Sequence, residues 1–199
     1  MQTGTLMEPG ILASRRLRSF SLYVDFAAAM RARWAAGQIA RLAGDHWKAS
    51  PEMWGLDSLA ASEPIQKMVA QDAADADVLI VALSSMERRE WELMEWLDSL
   101  AGQKSNRTAS GLFIGLLGDE KQQAGELDWT VKRFMLCAQR MYRDFIWHWM
   151  EEGTLNSNDW LASSVEALLA RKEPAPDAAF LQDAIICVQS PLPAHRLLA

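Results

Sequence analysis

Residues 76–85 read Ala-Asp-Val-Leu-Ile-Val-Ala-Leu-Ser-Ser, an unbroken apolar run that ends on the hydroxyls of Ser84 and Ser85. A run without polar alternation must bury both of its faces. That is the situation of a central strand in a parallel sheet covered by helices on either side. The flanks agree with this reading. Upstream, Ser62-Glu-Pro-Ile supplies a capping serine and a proline in the first turn, predicting a helix over residues 62–74. Downstream, Trp91, Met94, Leu97 and Leu100 recur at three-residue steps, with Leu93 and Trp96 widening the stripe, and predict a helix over residues 87–101.

Further from the centre the alternation continues. Residues 19–25 place Phe20, Leu22 and Val24 on one face, as in a strand, and the alanine-rich residues 26–43 predict a helix closed by Gly44. Pro51 interrupts residues 46–59, within which residues 53–59 are expected to form a short edge strand. Residues 111–118 (Gly-Leu-Phe-Ile-Gly-Leu-Leu-Gly) read as another buried strand, and residues 127–142 as a helix through Val131, Phe134, Met135, Ala138 and Met141. Residues 144–150 either prolong that helix or form a fifth strand, and their β-rich composition favours the strand. A last helix is predicted over residues 156–171, before a Pro/Ala linker (173–177), a small apolar segment (184–188) and a tail. The expected organisation is a loose leader over residues 1–14, an α/β domain over 15–152, and a C-terminal helix and tail over 153–199 docked on it.

Such alternation implies right-handed crossovers and a three-layer, doubly wound, mostly parallel α/β sheet in the flavodoxin-like strand order 2-1-3-4-5, with a C-terminal helical extension. Ligands of such sheets bind beyond the C-terminal ends of strands one and three. The residues that fall there are Asp25, Ser84, Ser85, Gly118, Asp119 and Glu120.

Composition excludes several functions. With 20 Lys and Arg against 26 Asp and Glu the chain carries a net charge of −6, and no basic face large enough to displace counterions from nucleic acid is expected. The one basic cluster, Arg15, Arg16 and Arg18, reads as a solvated approach to the first strand. Cys137 and Cys187 fall in different segments, which gives no disulfide framework and no metal spacing and points to a reducing cytoplasm. No apolar segment is long enough to cross a bilayer, and residues 1–9 lack the pattern of a secretory signal. Nine tryptophans stand out, among them Trp34, Trp91, Trp96, Trp129, Trp147, Trp149 and Trp160. Packing of helices on a sheet accounts for most of them, and a partner surface for the remainder.

The crevice residues offer little chemistry. Asp25-Phe-Ala-Ala-Ala-Met has no glycine, so no phosphate cradle follows strand one, and a dinucleotide, a Walker-type nucleotide and a flavin are all disfavoured. Gly115 and Gly118 read as close packing and a turn. His46, His148 and His195 are dispersed without metal-ligand spacing, His148 reads as structural, and Cys137 reads as inert core. The acidic residues Glu87, Glu90, Glu92, Glu95 and Asp98, with Glu151 and Glu152, read as solvated faces. No metal and no cofactor are expected.

Two families share features with this chain. The layout of residues 19–150 resembles the receiver domain of bacterial response regulators. A working receiver ends strand three on a phosphorylated aspartate, where this chain has Ser84 and Ser85, and of the family's acidic pair only Asp25 is present. The resemblance therefore implies a degenerate, non-phosphorylated relative that signals by contacts. Ser84 followed by Trp91 and Glu95 is similar to a motif of Toll/interleukin-receptor-type domains. In the enzymatic members of that family the glutamate cleaves the nicotinamide–ribose bond of NAD, although the family's glycine-bearing loop after strand two is not recognisable here. The leading expectation is a cytoplasmic, non-catalytic, receiver-like module that binds a protein partner or itself through a tryptophan-bearing helix face, without nucleic acid or membrane. The alternative is an NAD-cleaving hydrolase using Glu95 and Ser84. A pocket gathering Asp25, Ser84, Glu95 and Asp119 would favour the enzyme.

Overall fold

Apolar alternation along two strands sets the layers. The computed structural model describes residues 15–59, 62–84, 90–103, 110–118, 124–150 and 159–172. Strand β3 (Val78–Leu83) is buried throughout, with Val78, Ile80 and Ala82 on one face of the sheet and Leu79, Val81 and Leu83 on the other. Strand β4 (Gly111–Leu117) repeats the arrangement, with Leu112, Ile114 and Leu116 on the first face and Phe113 and Leu117 on the second. With β1 (Arg15–Tyr23), β2 (Trp47–Gly55) and β5 (Arg143–Trp149) they form a five-stranded, all-parallel sheet in the order β2-β1-β3-β4-β5. This is the doubly wound, flavodoxin-like topology expected from the sequence.

The first face is covered by α1 (Phe26–Ala43) and α6 (Asp159–Lys172). Ala28, Ala32, Ala35 and Ala36 line the buried side of α1 and let its backbone lie close to the strands. Leu161, Val165 and Leu168 of α6 join the same core. The second face is covered by α2 (Leu56–Leu59), α3 (Glu63–Asp75), α4 (Glu90–Ala101) and α5 (Ala124–Arg140).

Local signals place the helix ends. The Asp25 carboxylate accepts the Ala28 N–H at 2.8 Å, capping α1, whose other end stops at Gly44 in a positive-φ conformation (φ 70°). Ser62 caps α3 by accepting the Ile65 N–H, with Pro64 in the first turn. Each such cap contributes about 1 kcal/mol.

The largest boundary differences from the expectation fall on the first two strands, while α5 starts three residues earlier than expected, at Ala124, and β1 ends two residues earlier, at Tyr23. The edge strand is nine residues long and starts at Trp47, while residues 56–59 of the expected strand are the helical turn α2. Pro51 sits inside β2, tolerated because β2 is the sheet edge. The first strand begins at Arg15, so Arg15, Arg16 and Arg18 lie within β1 rather than before it. Residues 143–149 form β5, which resolves the helix-or-strand alternative as the strand. The leader, the linker, the 184–188 segment and the tail lie outside the described residues.

The N-terminal ends of the strands are tied together by the last residues of α6. The Lys172 ammonium bonds Asp77 (2.6 Å) and the Arg16 carbonyl (3.2 Å) and lies 5.7 Å from the Trp47 ring centroid. Arg171 pairs with Asp144 and Ser110. Asp77 also accepts the Arg18 N–H at 2.8 Å. No described helix is long and apolar enough to cross a membrane.

Candidate functional site

At the C-terminal ends of β1, β3 and β4, where this topology places ligands, Asp25, Arg31 and Gly118 are engaged with the chain itself. Asp25 is the α1 cap and holds its carboxylate against the helix N-terminus. From the second turn of α1, Arg31 reaches across the sheet and donates a long hydrogen bond (3.5 Å) to the Leu83 carbonyl at the end of β3. Its guanidinium lies against Gly118, and a β-carbon at that position would land on the guanidinium itself. Gly118 thus leaves the space that the end of the long Arg31 side chain occupies. Its N–H donates to the Leu83 carbonyl at 3.0 Å. Ser84, half-buried, follows Leu83 directly. Ser85, Asp119 and Glu120 lie outside the described residues.

Glu95 is elsewhere. It stands on the exposed side of α4, at the rim of an open cleft of about 410 Å³ between α2, α3 and α4. Leu56 and Leu59 provide the apolar wall, Trp96 an aromatic one, and Gln66, Glu92 and Ser99 the remaining polar lining. Trp96 is fixed from behind by stacking on Phe20 (6.3 Å, 13°). Neither Asp25 nor Ser84 lines this cleft, and Asp119, the other residue expected to join Glu95, lies outside the described residues. Both described carboxylates of the lining are negative and no described lining residue is basic. Trp91, which carries the tryptophan–glutamate spacing, is 72 % exposed.

Sequence reasoning missed a polar cluster between α4 and α5. Asp98 accepts hydrogen bonds from Arg133 (2.7 Å) and Arg140 (2.9 Å), bridging the two helices. The Cys137 thiol donates to the same carboxylate at 3.8 Å. Burial and the Asp98 charge push the thiol from 9.0 up to about 11, against the pull of the two arginines. At neutral pH Cys137 is thus a protonated thiol and a poor nucleophile. Among the described residues no group of His, Cys, Asp and Glu side chains is placed to hold a metal ion.

His148 is likewise structural in its contacts. Its ring stacks on Trp160 of α6 at 4.5 Å and 5°, joining β5 to the last helix. Burial lowers its pKa below 6.5, because desolvation disfavours the imidazolium. With the folded value below the unfolded one, the unfolded chain takes up the proton first as pH falls. The stability contributed by neutral His148 is complete above pH 6.5 and is lost as pH falls through the folded value. Urea midpoints followed downward from pH 7.5 are expected to fall more steeply for the native chain than for His148→Gln. Equal slopes would refute this.

No family model and no curated protein matches the chain.

Proposed function

We propose that the chain is a receiver-like interaction module that works by contact with a protein partner or a second copy of itself and turns over no substrate. The observation that carries this reading is the use of the switch-point groups: Asp25 caps a helix and the Arg31 guanidinium packs over Gly118 and Leu83. A phosphoacceptor end of strand three is replaced by Ser84. Large apolar side chains meanwhile face solvent, including Trp91 and Leu136 on helices and Trp147 on the sheet. Size-exclusion chromatography with light scattering, together with affinity capture using the full chain as bait, tests the reading. A strict monomer that captures nothing would remove it.

A second reading rests on one specific observation, the presence of Glu95 in the α2–α3–α4 cleft beside the Trp96 indole. Here the chain would cleave NAD at the nicotinamide–ribose bond, with Glu95 as the acting carboxylate. The acidic lining weighs against it, since a dinucleotide pyrophosphate finds no described countercharge there. Incubation with NAD decides between the two. Nicotinamide release abolished by Glu95→Gln would establish the enzyme, whereas absence of release from the native chain is the expected result.

A further inference from the structure

The two edges of the sheet are built differently. On β2, the exposed Pro51 and Lys48 are features that discourage a further strand from pairing. On β5, Arg-Asp-Phe-Ile-Trp-His-Trp carries neither proline nor lysine, and Trp147 is 42 % exposed. The Met150 N–H donates to the Leu117 carbonyl at 2.7 Å, so by strand alternation the even-numbered residues of β5 turn their backbone groups towards β4. Those of Phe145 and Trp147 therefore point outward from the sheet. Among the described residues none pairs with them.

Resting on the interaction-module reading, we propose that the occupant of this edge is the β5 strand of a second copy, paired antiparallel about a two-fold axis through Ile146. The inner positions of β5, Phe145-Ile146-Trp147, read aromatic-aliphatic-aromatic from either end. With Ile146 facing itself, Phe145 lies opposite Trp147 of the second copy, and Asp144 opposite His148. Aromatic–aromatic pairs favour neighbouring antiparallel strands, while Asp144 and His148 keep their own partners, Arg171 and Trp160. The parity also agrees: the 145/147 pairs are the hydrogen-bonded ones, made by the outward-facing groups, and the 146/146 and 144/148 pairs are the non-hydrogen-bonded ones. A one-residue slip would turn the backbone groups out of phase, and a two-residue slip would place Phe145 or Trp147 on the axis in place of Ile146. The contact is isologous and closes at two copies, giving one continuous ten-stranded sheet. The self-association surface is thus the sheet edge, where the sequence had suggested a helix face.

The full chain is expected to sediment as a dimer, and Trp147→Lys, which gives β5 the kind of charge β2 carries, as a monomer with an unchanged circular dichroism spectrum. Cross-linking reads the register. In a Cys187→Ser background, Ile146→Cys brings two α-carbons within about 4.5 Å across a non-hydrogen-bonded pair, a disulfide distance, and is expected to give a covalent dimer on mild oxidation. Phe145→Cys, whose opposite number is residue 147, is expected not to. Should the lysine variant fail to fold, this pair decides alone. Equal cross-linking of the two cysteine variants, or a dimer that persists in folded Trp147→Lys, overturns the edge pairing and leaves the module reading standing on another surface. A monomer at all concentrations also overturns it, and a monomer that captures no partner removes both. With Cys187 retained, an intramolecular 146–187 disulfide would place the chain's own 184–188 segment on the edge and overturn the second copy as its occupant.

Discussion

Replacing Arg143 by methionine is expected to lower the free energy of unfolding by about 4 kcal/mol, a large share of the 5–15 kcal/mol typical of a domain. Arg143 is only 5 % exposed, at the start of β5. Its guanidinium donates to the carbonyls of Ala73 (2.8 Å), Ala74 (3.1 Å) and Ala76 (2.9 Å). These are carbonyls of the last turn of α3 and its C-cap, where a helix has no acceptor-satisfying N–H of its own and where its dipole is negative. Methionine fills much of the volume but removes these donors from the three oxygens in a place that water does not reach, where a buried acceptor left unsatisfied costs about 1–3 kcal/mol. Lysine restores the charge without the planar fork and should recover about half of the loss. Urea denaturation checks this. A methionine variant within 1 kcal/mol of the native chain, on the scale of an exposed substitution, would show that the carbonyls find other partners.

Gly115→Val is expected to cost about 3 kcal/mol by overpacking. Gly115 lies in the buried β4, and a β-carbon there would stand 2.9 Å from Cδ2 of Phe134 and 3.5 Å from Cβ of Trp147. Phe134 is itself held against Phe113, with ring centroids 5.6 Å apart, so its ring has little room to retreat. Alanine already brings its β-carbon closer to the Phe134 ring than side chains tolerate, so the ring must shift, at about 1 kcal/mol; valine adds two methyls in the same confined space. Phe134→Leu should be less harmful in the valine background than in the native one, a non-additivity that reports direct contact. Equal effects in both backgrounds would place the strain elsewhere.

The elements that sequence reading recovered are those whose signal is local. The apolar run of β3, the alanine stripe of α1, Asp25 and Ser62 as caps and Gly44 as a stop are each decided within a few residues. The start of β2 was hidden because an edge strand needs no continuous apolar pattern and Pro51 argues against a strand anywhere but an edge. The reach of Arg31 over Gly118, the grip of Arg143 on α3 and the bridging of α4 to α5 by Asp98 had no sequence signal at all. Each joins residues that only the completed topology makes neighbours. The site was legible to the same degree. Ser84 could be placed at the end of a strand and Glu95 on a helix, but their separation depends on how α4 leaves the sheet and on the meeting of Leu56, Leu59 and Gln66 with that helix.

The tie made by Lys172 has a consequence for how the chain acquires its structure during synthesis. The ammonium closes on the Arg16 carbonyl across 156 positions of sequence, and on Asp77 and the Trp47 ring on the way. A growing polypeptide can assemble β1, β3 and their helices as they leave the ribosome. It cannot fasten the base of the sheet until α6 has emerged, because the residue that does so is among the last of those described. Contacts of such long range slow folding and lengthen the interval in which unpaired strands are exposed. Ribosome-bound chains halted before residue 159 should therefore be open to protease at the β1–β2 end, and the released chain closed there.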